Sequence, residues 1–198
     1  KPKLITLAAL IIGLFLFGLG EALLVTSQMG VSPWTALAQG LSNVTGSGLG
    51  LATFIISVFV LLLWIPLKQR PGIGTILNAI IISLTLHYAI PFMPIFEQNI
   101  LRIVQAILGV FVTGLGGGIY LIANLGPGAR DGLMTGMQRI TNFPIAWVRG
   151  SIEIMVLTVG WLLGGVIGLG TIIFALGIGP CLAISLTIFG SSKSKSNH

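Results

Sequence analysis

The 198-residue chain is 55% apolar and only 7% charged, and its ten Lys and Arg against four Asp and Glu give a formal net charge of +6. Soluble domains carry roughly 25% charged residues, so these few charges cannot cover a water-facing surface, and a soluble fold is excluded. The basic excess forms no stripe and no aromatic platform, which excludes a nucleic-acid partner, and the single cysteine, Cys181, excludes an intrachain disulfide.

Apolar runs long enough to cross a ~30 Å hydrocarbon layer at 1.5 Å per residue fall at 4–27, 49–67, 73–91, 103–124, 145–163 and 169–190. The first is too long for a signal-peptide core and lacks a small-residue cleavage site, so it reads as a retained helix. Two shorter segments interrupt the pattern, 34–45 after Gly30-Val31-Ser32-Pro33-Trp34 and 130–141 after Gly126-Pro127-Gly128-Ala129-Arg130-Asp131. As helices they would reach only ~18 Å. Each is either a re-entrant half-helix, shielded from lipid by protein or water, or an amphipathic helix lying in the interface. Leu133, Met137 and Ile140 would then form the apolar stripe beside Gln138 and Arg139. In both readings the turn at Gly126–Gly128 leaves backbone N–H groups beside Arg130, which suits an anion.

Topology follows from Lys and Arg. Lys1, Lys3, Lys68, Arg70, Arg130, Arg139, Lys193 and Lys195 fall on one side when both termini are cytoplasmic, and the connections 28–48, 92–100 and 164–168 contain neither residue. Arg102 sits at the outer edge of its span. Trp64, Trp147 and Trp161 lie near helix ends, where interface anchors belong.

A shift of 96 residues aligns the chain with itself without a gap. Seven glycines coincide, Gly13, Gly18, Gly20, Gly30, Gly40, Gly72 and Gly74 with Gly109, Gly114, Gly116, Gly126, Gly136, Gly168 and Gly170. The expected fold is therefore an all-α polytopic membrane protein, one membrane domain over 1–198, with about six transmembrane helices as two inverted three-helix repeats. The repeats cover roughly 4–92 and 100–190, each with its short re-entrant or interfacial segment. Three crossings per copy turn the second upside down, the arrangement of many secondary transporters, whose sites lie near the midplane between the copies. Channels can share it.

Ionisable residues inside apolar segments are costly and mark function by default. Arg149 and Glu153 stand one turn apart on one helix face, either as a self-neutralising pair or as an anion-binding Arg with a proton-carrying Glu. Arg130 and Asp131 either cap a helix start or join that site. Glu21 and His87 both fall late in their helices and form a second, outer polar layer. His87 suits proton transfer but also suits simple packing. Trp34, Thr35, Thr53 and Ser57 occupy the first-half places of Arg130, Asp131, Arg149 and Glu153, so the halves share packing and differ in charge. The glycines serve close helix approach. No catalytic motif, cofactor motif or metal-ligand spacing occurs, so the reading is not an enzyme, with no cofactor and no metal.

Gly30-Val31-Ser32-Pro33-Trp34, Gln39-Gly40-Leu41-Ser42, Arg70-Pro71-Gly72-Ile73-Gly74-Thr75, Gly126-Pro127-Gly128-Ala129-Arg130-Asp131-Gly132-Leu133-Met134 and Val148-Arg149 with Ile152-Glu153 resemble the bacterial YczE/YyaS/YitT membrane proteins over nearly the whole chain. The family pattern has Pro where Ala129 stands, which loosens the expected turn. The resemblance implies a bacterial cytoplasmic (inner) membrane protein. Some members are associated with secondary-metabolite production, which fits export or a supporting role. The expected function is a small, proton-coupled secondary transporter of an organic molecule, with the lipid bilayer and a small-molecule substrate as partners and a homodimer through Gly-rich faces as an option. A passive channel and a non-transporting scaffold for a biosynthetic enzyme are the alternatives.

Overall fold

The computed structural model describes residues 3–194, with side chains as far as Phe189. Lys1 and Lys195, and the side chain of Lys193, lie outside the described residues. The described residues are all α: α1 Leu4–Ser27, α2 Pro33–Thr45, α3 Leu49–Leu63, α4 Ile73–Ala89 with a 3-10 turn Ile90–Phe92, α5 Asn99–Ala123, α6 Ala129–Thr141, α7 Ile145–Leu162 and α8 Leu169–Ser194. It is a polytopic membrane protein. Five helices, α1, α4 with its 3-10 turn, α5, α7 and α8, are long and apolar enough to cross. The remaining expected span differs from the reading over 49–67: α3 has 15 residues and ends at Leu63. It reaches crossing length only with α2, from which it bends by 113°.

Local chemistry explains the helix ends. Pro33 opens α2 with its φ already helical, and α2 stops where Gly46 takes φ 69°. α1 and α5 form the main seam of the fold. A Cβ on Gly13 would stand 2.8 Å from the Gly116 carbonyl, and one on Gly109 would stand 2.9 Å from the Gly20 carbonyl, so only glycine admits this approach.

One core cluster gathers Trp34, Val60, Leu133, Met134, Val148 and Ile152 from α2, α3, α6 and α7, with Trp64 just past the end of α3. A second joins α1, α4 and α5 through Leu10, Leu14, Ile82, Leu86 and Tyr120. Outward-facing Leu62, Ile154 and Leu176 are each more than half exposed, the surface that lipid covers. Trp147 and Trp161 are exposed at 74% and 60%, but Trp64 is 1% exposed. Trp64 is thus not an interface anchor. It packs in the core and donates Nε1–H to the Ala129 carbonyl at 2.9 Å. Arg102 caps the end of α1, donating Nε–H to the Ser27 carbonyl at 2.9 Å. Arg139 likewise donates to the Leu67 carbonyl past α3, at 2.6 Å. α6 turns part of its apolar face to the core. Leu133 and Met134 are buried, Met137 is packed on them, and Ile140 is 57% exposed.

Contacts recur in exchanged form at the 96-residue offset. Gly74 N–H donates to the Leu125 carbonyl at 2.8 Å, and Gly170 N–H to the Met29 carbonyl at 2.7 Å. Thr75 Oγ1 donates to the Pro127 carbonyl at 2.7 Å, and Thr171 Oγ1 to the Val31 carbonyl at 2.9 Å. Left-handed residues pair at the same offset: Gln28 with Asn124, Gly30 with Gly126, Gly46 with Asn142, Lys68 with Gly164. The packing does not recur throughout. Among the described residues α3 packs along α4, but α7 makes no comparable contact with α8.

Candidate functional site: a polar cavity between two short helices

α2 and α6 both start at one cavity of about 190 Å³, whose walls come from every helix except α3. Five pairs of lining residues stand 96 apart: Phe17 and Thr113, Ser32 and Gly128, Trp34 and Arg130, Asn78 and Phe174, Ile82 and Ile178. Each short helix enters after a glycine in the left-handed region, Gly30 at φ 109° and Gly126 at φ 128°. Those turns aim both N-termini inward.

Neither N-terminus carries a side-chain cap. Ser32 stands at the cap position of α2, where a hydroxyl ordinarily accepts from the helix backbone. Here it serves a carboxylate instead. Glu21, 1% exposed on α1, accepts at Oε2 from Ser32 Oγ at 2.9 Å and Thr35 Oγ1 at 2.6 Å. Its Oε1 has no partner among the described residues. Burial of an unsatisfied carboxylate oxygen is costly, and in a membrane helix it is a mark of function.

Arg130 is partly buried and lines the cavity, its guanidinium over the Trp34 ring with Cζ 5.4 Å from the centroid. Such stacking stabilises a desolvated cation by about 0.5–2 kcal/mol. Arg130 makes no ion pair within 4.0 Å among the described residues. Asp131 Oδ2 accepts from the Tyr120 hydroxyl at 2.9 Å, which ties α6 to α5. Arg149 Nε donates to Glu153 Oε1 at 2.9 Å within α7, the side chains 50% and 33% exposed at the open edge of the cavity.

The structure therefore brings Arg130, Asp131, Arg149 and Glu153 to one wall and sets Glu21 behind Ser32 and Thr35. It does not bring Glu21 and His87 together as an outer pair. His87 is exposed, packs edge-on to Tyr88 with ring centroids 4.9 Å apart, and lies against Gly50 of α3. Sequence reasoning missed Tyr120 and Asn78, polar groups inside apolar runs, and gave Trp34 no role. The signal for Trp34 was the offset itself, which sets it opposite Arg130. A second hollow of about 550 Å³ beside Phe143 and Trp147 is lined by no charged residue.

Fold and site together define a multi-pass membrane protein with a charged cavity enclosed by its helices. Within that class the chain belongs to the family of unknown function DUF6198, whose model matches residues 4–187. It is 40% identical over 183 residues to an uncharacterized protein of Haemophilus influenzae, covering 92% of this chain and 84% of that one. It is 32% identical over 176 residues to the uncharacterized membrane protein YczE of Bacillus subtilis, covering 88% and 82%. It is 27% identical over 166 residues to the uncharacterized protein YyaS of B. subtilis, covering 82% and 83%. The membership expected from the motifs is thus shown, and the chain is a bacterial membrane protein. No solved structure matches it.

Proposed function

We propose that this protein is a small secondary transporter of the bacterial cytoplasmic membrane, with both termini cytoplasmic, built as two inverted three-helix repeats. The exchanged hydrogen bonds of Gly74 with Gly170 and of Thr75 with Thr171 support the repeat. So does a count of three crossings in each half when α2 and α3 form one broken span. Rocking of one copy against the other would expose a central site to each side in turn.

The observation that carries this reading is the cavity. Equivalent residues of both halves line it, yet its charges come almost wholly from the second half, which gives a bound molecule a distinct environment from each half. Arg130 and Arg149 hold the substrate, a small organic molecule. Glu21 takes and releases the coupling proton, its unpartnered Oε1 being where that proton sits. The pair Arg149–Glu153 closes or opens the edge of the site.

A ligand screen by thermal shift on purified protein finds the substrate, since a ligand stabilises the state it binds. In liposomes the wild type is then expected to show counterflow of that ligand and acidification driven by it. Glu21→Gln keeps counterflow and loses the response to a pH gradient. Unchanged pH-driven flux in both Glu21→Gln and Glu153→Gln would sink the proton role. Flux that never saturates and shows no counterflow would replace the transporter with a channel. A stable protein partner, with full activity of Arg149→Ala/Glu153→Ala, would favour a scaffold.

A further inference from the structure

We infer that the cavity takes the acidic head of an amphiphile, whose apolar tail leaves between α7 and α8 into the bilayer. This rests on the reading of the cavity as the site of a transported ligand, and it names the class of that ligand and its route.

Hydrogen-bonding capacity sets the head. The carboxylates around the cavity are already engaged: Glu21 with Ser32 and Thr35, Asp131 with Tyr120, Glu153 with Arg149. The unfilled capacity is on the donor side. The Arg130 guanidinium faces the cavity with no ion-pair partner among the described residues. The Trp34 ring, 6% exposed, lines the same wall beneath that guanidinium. Two helix starts without side-chain caps add backbone N–H groups. A surplus of fixed donors with a planar guanidinium calls for a carboxylate or phosphate, which can take two parallel bonds from Arg130. The unfilled acceptor, Glu21 Oε1, does not line the cavity. Three carboxylates and two guanidinium groups leave a formal charge of one negative, and the proton assigned to Glu21 brings it to zero, so anion and proton favour each other's binding.

Volume and opening set the tail. A cavity of about 150 Å³ takes one benzene, so about 190 Å³ holds a headgroup and the first carbons but no long chain as well. α3 packs along α4, whereas α7 and α8, which both line the cavity, do not pack along each other to a comparable extent among the described residues. Its α8 wall there is Phe174, Ile178 and Leu182, apolar side chains on a largely exposed helix. A ligand anchored at Arg130 therefore has an apolar exit sideways, into the solvent its own tail prefers.

The test is photolabelling of the purified protein in neutral detergent with a decanoic acid carrying a diazirine on its tail. Adducts are expected on α7 and α8 facing the gap, reduced at least tenfold by excess decanoate and unaffected by dodecyltrimethylammonium. Competition by phosphatidylglycerol as well would keep the acidic head and make a bilayer lipid the source. Labelling falls at least tenfold in Arg130→Gln, less in Arg130→Lys, and is unchanged in Glu97→Gln, whose carboxylate lies in an exposed loop. If Arg130→Gln does not fold, the competition series on the wild type still decides. Equal competition by the cation would overturn the acidic head, and adducts confined to other helices would overturn the lateral route. In either case saturable counterflow of another ligand would leave the transporter reading standing.

Discussion

Thr75→Val and Thr171→Val test whether the two halves are joined by equivalent devices. Valine keeps the shape of threonine and removes the hydroxyl. At Thr75, 0% exposed, that hydroxyl donates to the Pro127 carbonyl at 2.7 Å and accepts the Gly72 N–H at 3.2 Å. At Thr171, 6% exposed, it donates to the Val31 carbonyl at 2.9 Å and accepts the Gly168 N–H at 3.3 Å. Each variant strips two backbone groups of a partner. A buried unsatisfied group costs ~1–3 kcal/mol, and the longer N–H bond contributes the smaller share, so each variant should lose roughly 2–4 kcal/mol. In a chain of this size 1 kcal/mol moves the thermal midpoint by about 2–4 °C, so each midpoint should fall by roughly 4–16 °C. Tryptophan fluorescence of detergent-solubilised protein on heating reads it, and Thr→Ser, which keeps the hydroxyl, should recover most of the loss. The turns so held carry the starts of α6 and α2, so ligand stabilisation should weaken in parallel. If one variant falls and the other stays within about 2 °C, the two joints are not equivalent and the repeat loses its energetic basis.

Gly13→Ala should cost ~1–3 kcal/mol by overpacking, because its Cβ would meet Tyr120 N at 2.6 Å and the Gly116 carbonyl at 2.8 Å. Gly150→Ala, with nothing within 4 Å of its Cβ, should be neutral or more stable by up to ~1 kcal/mol. The same melting assay separates them. Trp64→Phe removes a buried donor from the Ala129 carbonyl and should cost ~2–4 kcal/mol, against less than ~0.5 kcal/mol for Trp147→Phe on the exposed face of α7. For topology, in a Cys181→Ala background, Gln98→Cys should react with an impermeant maleimide in intact cells, and Gln69→Cys, beside Lys68 and Arg70, only after permeabilisation.

Helix limits were legible where glycine and proline punctuate the chain. The first span was read as 4–27 and is Leu4–Ser27, and the short segments were each placed within one residue of their true starts. The failure at 49–67 has a long-range cause. Trp64 turns inward to a carbonyl 65 residues away, and no local pattern records that partner. The charged residues of the second half were legible because ionisable groups are rare in apolar runs. The azimuth of each residue about its helix was not legible. Glu21 and His87 were paired by their distance along their helices, and they point to different neighbours. Ser32 and Thr35 reach Glu21 because the chain folds back at Gly30, whose φ of 109° is open to glycine and strained for other residues.

The same offset that relates the halves shows how the packed pair α3 and α4 differs from α7 and α8. In the first half a Cβ on Gly50 would meet the Ser83 carbonyl at 2.5 Å and His87 Cβ at 2.7 Å, so glycine is what lets α3 close on α4. Thr53 and Ser57 then return their hydroxyls to carbonyls of their own helix, each at 2.9 Å, and leave a compact, neutral face. In the second half the equivalent places hold Ala146, Arg149 and Glu153. The methyl blocks that approach, and the ion pair adds bulk and keeps its hydration while half exposed. These three side chains thus distinguish the face of α7 from its first-half equivalent. Exchanging them for their first-half equivalents, Ala146→Gly/Arg149→Thr/Glu153→Ser, should let the helices meet. Ile178→Cys in a Cys181→Ala background lines the cavity and reports it, with maleimide labelling fast in the parent and several-fold slower in the triple variant. An unchanged rate would mean that the opening is set elsewhere, and the lateral route would then lose its structural cause.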